Sequence, residues 1–412
     1  MVGGAWLALT LVLLIAAGIA RETPLYMAAI LLFLTGGLAR LWAHHLFSGV
    51  EFSQRLSTQR GFTGDEVTLE VQLANLKILP LPWLRVSIEV PGELSFAAGP
   101  TARGSSSNRR TLSFGLALGP YHRVTRRYSL RCDRRGFYTF GPTKVEAGDL
   151  FGFFRREVRF DQREHLTVYP RMVPLEKLSI PSKELFGDVR VRRHLFEDPV
   201  LVASTREYVA GDPLKRIHWA SSARTGQLRT KVFEPTTSVD AALFFDIRTV
   251  PPPLWGYDEQ LLELGLLTAA AIASHAHEHD IRLGLYVNQG SPTTDRMIQI
   301  PPSDHPDQLM RVLEALAQVH PHEQFPIATL VQRYGRSLPW TATLVVISAM
   351  PTPLLLDALV RHKRAGRRVA LVVPGASGLS DSSGPAAVPT YAVSGDEAWQ
   401  EVESISIEGG AS

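Results

Sequence analysis

Cysteine is all but missing from this chain: Cys132 is the single one in 412 residues. No intrachain disulfide and no thiolate metal cluster can form, which favours a reducing compartment. Cys132 lies between Arg131 and Asp133 in a predicted strand and reads as a buried, neutral thiol. An excess of either charge is missing too, with 43 Lys and Arg against 40 Asp and Glu. The pairs Arg126-Arg127 and Arg192-Arg193 read as solvated or paired surface, and no aromatic ladder accompanies them, so nucleic-acid binding is not expected. No G-x-G-x-x-G or Walker-type loop occurs, which argues against a dinucleotide or ATP and leaves no cofactor indicated. No Ser-His-Asp order stands out either.

What the chain does have is two apolar runs at its start. Ala5 to Ala20 is nearly uninterrupted, and Leu25 to Leu41 is broken only by Thr35, two glycines and, next to its end, Arg40. With Val2 to Gly4 and Trp42 added, each approaches the ~20 residues that a helix needs to cross a bilayer. Arg21-Glu22-Thr23-Pro24 is a polar turn whose proline suits the start of a second helix. Trp6, Tyr26 and Trp42 fall near the expected interfaces. No Lys or Arg precedes the first run, so a cleaved signal peptide is not expected. A buried globular hairpin is the other use for such a pattern. Arg40 at the end of the second run is followed by Arg55 and Arg60, whereas Glu22 offsets Arg21 in the loop; this bias places both termini and the soluble domains in the cytoplasm.

The rest is too long for one core. The expected organisation is multidomain: a transmembrane helical hairpin over 1–48, an antiparallel β-sandwich over 49–170, a polar connector over 171–235 and a doubly wound α/β domain over 236–412. In the second part, Val67 to Leu73 and Leu84 to Val90 alternate as half-buried strands should. Thr111 to Leu118 and Arg123 to Leu130 read as a pair joined through Gly119-Pro120. The strand spacing fits a sandwich of immunoglobulin-like size. Arg135-Gly136-Phe137-Tyr138, Gly141-Pro142 and Asp149 to Phe154 read as turn glycines and aromatic packing.

The connector holds the most informative stretch, Arg206 to Arg224. Arg206, Arg216 and Arg224 offer forked donors, and Asp212 and Glu234 are the matching acceptors. Gly211-Asp212-Pro213 reads as a turn. Tyr208 and Trp219 are placed to shield such pairs, with Ser222 and Lys231 among the same polar set. This cluster reads either as a surface for a partner's acidic or terminal group, or as an internal lock between domains. In the lock, Arg224→Ala would leave a buried acid unpaired. His218 with Asp212 is a lone acid–base candidate.

From Val239 strands and helices alternate, with strands at Val239 to Asp246, Ile281 to Val287, Thr343 to Ser348 and Arg368 to Val373. Helices are expected near Asp258 to His279, Pro306 to Val319 and Pro353 to Lys363. Ligands of such sheets gather at the carboxyl ends of strands, where Asp246 and Ser348 lie. His275 and His279 share a helix face but read as helix-end histidines favoured by the dipole.

The run Arg206-x-Tyr208-x-x-Gly211-Asp212 through Ile217-His218-Trp219 to Ser222-Ala223-Arg224 closely resembles the signature of the bacterial domain-of-unknown-function family 58. Asp149-Leu150-Phe151-Gly152-Phe153 departs from that family's D-P-F-G-[LF] at Leu150. The last domain resembles a von Willebrand factor A domain, in which D-x-S-x-S ends the first strand and a Thr and a second Asp from other loops complete a Mg²⁺ or Mn²⁺ site. Here Arg248 and Val250 replace the two serines, and no Asp stands near Ser348, so the metal position is degenerate and Arg248 is expected to pair with Asp246. The resemblance implies an inner-membrane protein acting beside a MoxR-type AAA+ ATPase, with a transglutaminase-like membrane protein as a further partner, in complex assembly or envelope maintenance. The expectation is a non-enzymatic adaptor. The alternatives are a metal-dependent adhesion module using Asp246 and a hydrolase using His218 and Asp212.

Overall fold

The computed structural model describes the chain outside residues 1–4, 97–100, 104–108, 151–153, 179–195, 210–211, 213, 237–239, 252–255, 291–296, 377–387, 396–397 and 410–412. It divides into two compact units, Met1–Tyr169 and Pro170–Ser412.

Two helices, Ala5–Ala20 and Thr23–His44, begin the first unit. The second is long and apolar enough to cross a membrane, and the first is a shorter apolar helix. They approach through small residues: Ala17 on one and Ala29, Gly36 and Ala39 on the other are buried. Trp6 fills the groove above Gly36, where an added Cβ would lie 2.3 Å from its ring. Small residues let two helix backbones approach closely. Leucines, isoleucines and Met27 cover the outward faces and are exposed.

Among the described residues of this unit the strands form three sheets. One is ordered Val50–Leu56, Glu66–Asn75, Arg123–Arg131, Ser95–Phe96; another Arg155–Phe160, Thr143–Gly148, Leu81–Pro91, Arg109–Leu118, Thr101–Arg103. The third joins Arg60–Phe62, Glu164–Tyr169 and Gly136–Phe140. The alternation seen in sequence has its physical outcome here. Val67, Leu69, Val71 and Leu73 meet Leu84, Val86, Ile88 and Val90 in one apolar cluster, which also takes in Ala43 near the end of the second helix and Leu46 just after it. Each such side chain contributes roughly 2 kcal/mol on burial. Cys132 is buried in it, and burial pushes its thiol up to about 11.

One expected pairing is wrong. Arg109–Leu118 pairs with Leu81–Pro91, whereas Arg123–Arg131 pairs with Glu66–Asn75, so the two strands belong to different sheets. The turn between them is a crossing: Tyr121 takes a left-handed conformation with φ 52. The Asn75 side chain anchors it by donating to the carbonyl of Gly119 at 2.9 Å.

The second unit is built on an eight-stranded sheet ordered Leu175–Leu178, Ile405–Gly409, Thr390–Val393, Val369–Pro374, Thr343–Ile347, Asp240–Phe245, Arg282–Gly290, Met297–Ile300. Its central strands, Thr390–Val393 through Arg282–Gly290, run parallel. All six residues of Asp240–Phe245 are buried, as a central strand covered on both faces requires. The Ile327–Ser337 and Pro353–Arg364 helices cover one face over Ala242, Phe244, Leu344 and Val346. Glu259–Glu278 covers the other, where Gly265 lies against Phe245. The helix Ile327–Ser337 was not expected from sequence. Before the sheet's central strand, Phe196–Glu207 and Arg229–Thr236 form an antiparallel pair inside the stretch expected to be connector.

Candidate functional site

Two groups of the expected residues are organised, and they differ in kind. The first is the turn closing the Phe196–Glu207 and Arg229–Thr236 pair. Arg206 donates to Asp212 at 2.6 Å, the Val209 amide to the same carboxylate at 3.2 Å, and the Thr230 hydroxyl at 3.1 Å. These donors, Arg206 first, hold the Asp212 carboxyl below its ordinary range. Tyr208 donates its amide to Leu228 at 2.9 Å, which closes the strand pair. A short helix, Trp219–Thr225, follows with His218 as its cap: His218 Nδ1 accepts from the Ser221 amide at 3.0 Å. Ser222 is buried, donating to the His218 carbonyl at 3.1 Å and accepting from the Arg229 amide at 2.9 Å. Gly226 ends the helix in the left-handed region, φ 69.

Several expectations for this stretch need correcting. Trp219 is 68% exposed rather than packed over the ion pair, and Leu214 is 70% exposed. Arg224 is exposed and makes no ion pair among the described residues, because it lies on the outer face of its helix. Its removal would strand no buried acid. Arg216 and Lys231 are half-buried. Gly211 and the side chain of Glu234 lie outside the described residues. No hydrogen bond joins His218 to Asp212; one caps a helix and the other pins a turn.

The second group sits at the carboxyl edge of the parallel sheet. The Asp246 amide donates to the Ile347 carbonyl at 2.9 Å, which sets it beside Ser348 on the neighbouring strand. Asp246 is buried. One of its oxygens accepts from the Ser348 hydroxyl at 2.7 Å; the other accepts from the Asn288 amide at 2.8 Å and the Arg248 backbone at 3.2 Å. Asn288 in turn accepts from the Ile247 amide at 3.0 Å. Arg248 does not pair with Asp246, as the sequence led us to expect. Its guanidinium reaches Glu323 instead, with Nε at 2.9 Å and a second, shorter contact. The reason is directional: the backbone of Arg248 faces Asp246, so its side chain leaves toward the loop carrying Glu323. That loop is tied to the sheet edge by Gln324 and His320, which donate to Asn288 O at 3.0 Å and Gln289 Oε1 at 2.6 Å.

Burial, and then the nearby Glu323 charge, push the Asp246 carboxyl up to about 6 against the pull of its three donors. A hard divalent cation needs about six oxygen ligands. Here the lone pairs of Asp246 and Asn288 already face protein donors, and the remaining carboxylate holds an arginine. The residues present do not fit such an ion. Asn288 and Glu323 were missed in the sequence. Asn288 could have been found as the first polar residue after an apolar strand; Glu323 carries no such local signal.

Asp149, buried in the first unit, accepts from the Phe154 amide at 2.6 Å and caps its own turn. His275 and His279 stack at 4.0 Å on the last turn of their helix, and Glu278 lies close enough to share an ion with them. Burial, then His279, holds His275 below the usual imidazole range.

Against known proteins, residues 204–374 match the family model described as "Protein of unknown function DUF58". "Uncharacterized protein YeaD" of Bacillus subtilis (strain 168) is 25% identical over 230 residues, covering 54% of this chain and 53% of that protein. The match therefore spans about half the length of that relative. Among solved structures, a cohesin module of a Clostridium perfringens family 33 glycoside hydrolase is 9% identical, with a TM-score of 0.23 over 30% of this chain and 98% of that one. The CARDB domain of the Pyrococcus furiosus PF1109 protein is 13% identical, with a TM-score of 0.20 over 30% of this chain and 96% of that one.

Proposed function

We propose that this chain is a membrane-anchored, non-enzymatic adaptor of the bacterial inner membrane. Both N-terminal helices cross as a hairpin, the β-rich part is an immunoglobulin-like sandwich on the cytoplasmic side, and the last part is a von Willebrand A-like domain that has given up its metal. The turn and helix of 206–234 dock a protein partner. The family resemblance points to a MoxR-type AAA+ ATPase, with a transglutaminase-like membrane protein as a second neighbour.

The observation that carries this reading is the exposure of Trp219 and Leu214 on a scaffold in which Asp212 and Ser222 are held by their own hydrogen bonds. Exposed aromatics beside cations are what protein interfaces are enriched in. Arg206 and Arg224 of the same stretch are exposed as well. The sealed surroundings of Asp246 speak against the metal-dependent adhesion alternative, and the separation of His218 from Asp212 speaks against a hydrolase.

A photo-crosslinking residue at Trp219 tests it in living cells. An ATP-sensitive adduct with an AAA+ ATPase is expected, and none from the same probe at exposed Leu354. Equal adducts at both positions, or none at Trp219, would remove the docking assignment.

A further inference from the structure

The end of the first unit that adjoins the helices carries a surface the adaptor reading leaves unused. At about 1.5 Å per residue the 22 residues of Thr23–His44 span roughly 33 Å, close to the hydrocarbon thickness of a bilayer. If the hairpin spans the membrane, as proposed above, the end of this helix lies among the headgroups. One turn of the β-rich part is hydrogen-bonded to that end and holds a second turn in its place. Lys77 Nζ donates to the His45 carbonyl at 2.5 Å and also to that of Leu46. The Leu76 amide donates to Gly49 at 2.8 Å, and the Tyr121 amide to Lys77 at 3.2 Å. The Asn75 side chain clamps both turns, donating to Leu79 at 3.0 Å and Gly119 at 2.9 Å.

The side chains these turns present are not those of ordinary solvated loops. Leu76 is 49% exposed, Ile78 75% and Tyr121 71%. Around them cations outnumber acids, with exposed Glu51, across Ala74 from Arg123, as the neighbouring acid. Arg40 and Arg123 are exposed, and Lys77 places its ammonium on the carbonyls at the helix end, where a cation is favoured. Segments 40–50, 71–84 and 112–125, which build this end, contain no Asp or Glu. The charge of the whole unit agrees: up to Tyr169 there are 20 Lys and Arg against 13 Asp and Glu, and after it 23 against 27.

We propose that this end is a docking surface for anionic lipid. Leu76, Ile78 and Tyr121 enter the interfacial layer, as amphipathic and apolar tips do, while Arg40 and Arg123 meet headgroup phosphates. The surface fixes the height of the β-rich part above the bilayer.

The test uses the full chain in nanodiscs of phosphatidylcholine, with or without phosphatidylglycerol. An environment-sensitive fluorophore is placed on single cysteines replacing Leu34, Ile78, Tyr121 or Phe137, with buried Cys132 left in place. Phe137 lies past the far end of the Arg123–Arg131 strand. Lipid-borne quenchers should act strongly at 34, measurably at 78 and 121 and not at 137, with at least a two-fold increase at 78 and 121 when phosphatidylglycerol is present. Quenching at 34 with solvent-like signals at 78 and 121 overturns the docking surface while leaving the hairpin in the membrane. No quenching at 34 removes the spanning reading and this proposal together. Equal quenching at 78 and 121 in both lipids overturns the recognition of anionic charge.

Discussion

Asp212 and Asp246 hold the same functional group in opposite surroundings. Asp212 sits on a turn, where Arg206, a backbone amide and Thr230 keep it ionised. Asp246 sits under the sheet edge, where burial favours the neutral acid and no arginine side chain reaches it. One carboxylate organises a stretch whose large side chains point into solvent. The other is absorbed into the core. The contrast separates an ionised carboxylate that pins an exposed turn from a buried one that joins neighbouring strands.

The contrast can be broken most forcefully at Asn288. Asn288→Ala removes a donor from a buried carboxylate and leaves the Ile247 amide without its acceptor. A loss on the order of 4 kcal/mol is expected in denaturant titrations of the full chain in detergent. A loss below about 1 kcal/mol would mean that Asp246 is more hydrated than its burial indicates.

Next in size is a pH effect. The folded-state pKa of Asp246 lies near 6, above the ~3.9 of an unfolded chain. The folded state therefore holds the extra proton between these values. The stabilisation is complete below about 4 and is lost as the pH rises to 6. Relative to Asp246→Asn, the wild-type chain should lose about 3 kcal/mol between pH 4 and 7. A flat difference would show that the carboxyl titrates normally.

Arg248→Ala sharpens the same point. Without its arginine, Glu323 presents an unbalanced charge to Asp246, and the carboxyl band of Asp246 in infrared difference spectra should titrate above its wild-type midpoint. An unchanged or lower midpoint would show that the Glu323 charge does not act on Asp246. At the other carboxylate the effects on stability are smallest. Trp219→Ala and Arg224→Ala should each change unfolding by no more than about 0.5 kcal/mol, while the Trp219 variant loses ATPase capture. A large loss of stability at Arg224 would restore the internal lock.

Much of this was legible in the residues. The strands Asp240–Phe245 and Thr343–Ile347 announce themselves as short apolar runs, and Asp246 and Ser348 stand at their ends because polarity returns there. The helix Ile327–Ser337 was hidden because Gly335 weakens the pattern. That glycine is explained only by packing, since a Cβ there would lie 2.8 Å from the His362 ring. The crossing at Tyr121 depends on Asn75, 44 residues before Gly119, and no local signal carries such a bond. For Arg224, composition showed a cation among acids but not which face of a seven-residue helix it would occupy. Long-range partners, then, are what periodicity cannot supply.

Isothermal calorimetry of the full chain with Mg²⁺ and Mn²⁺ near neutral pH goes straight to the claim that the sheet edge has no room for a cation. No saturable heat is expected for the wild type, nor any change with Asp246→Asn. Saturable micromolar binding that disappears in Asp246→Asn would contradict the account and return the sheet edge to metal-dependent recognition.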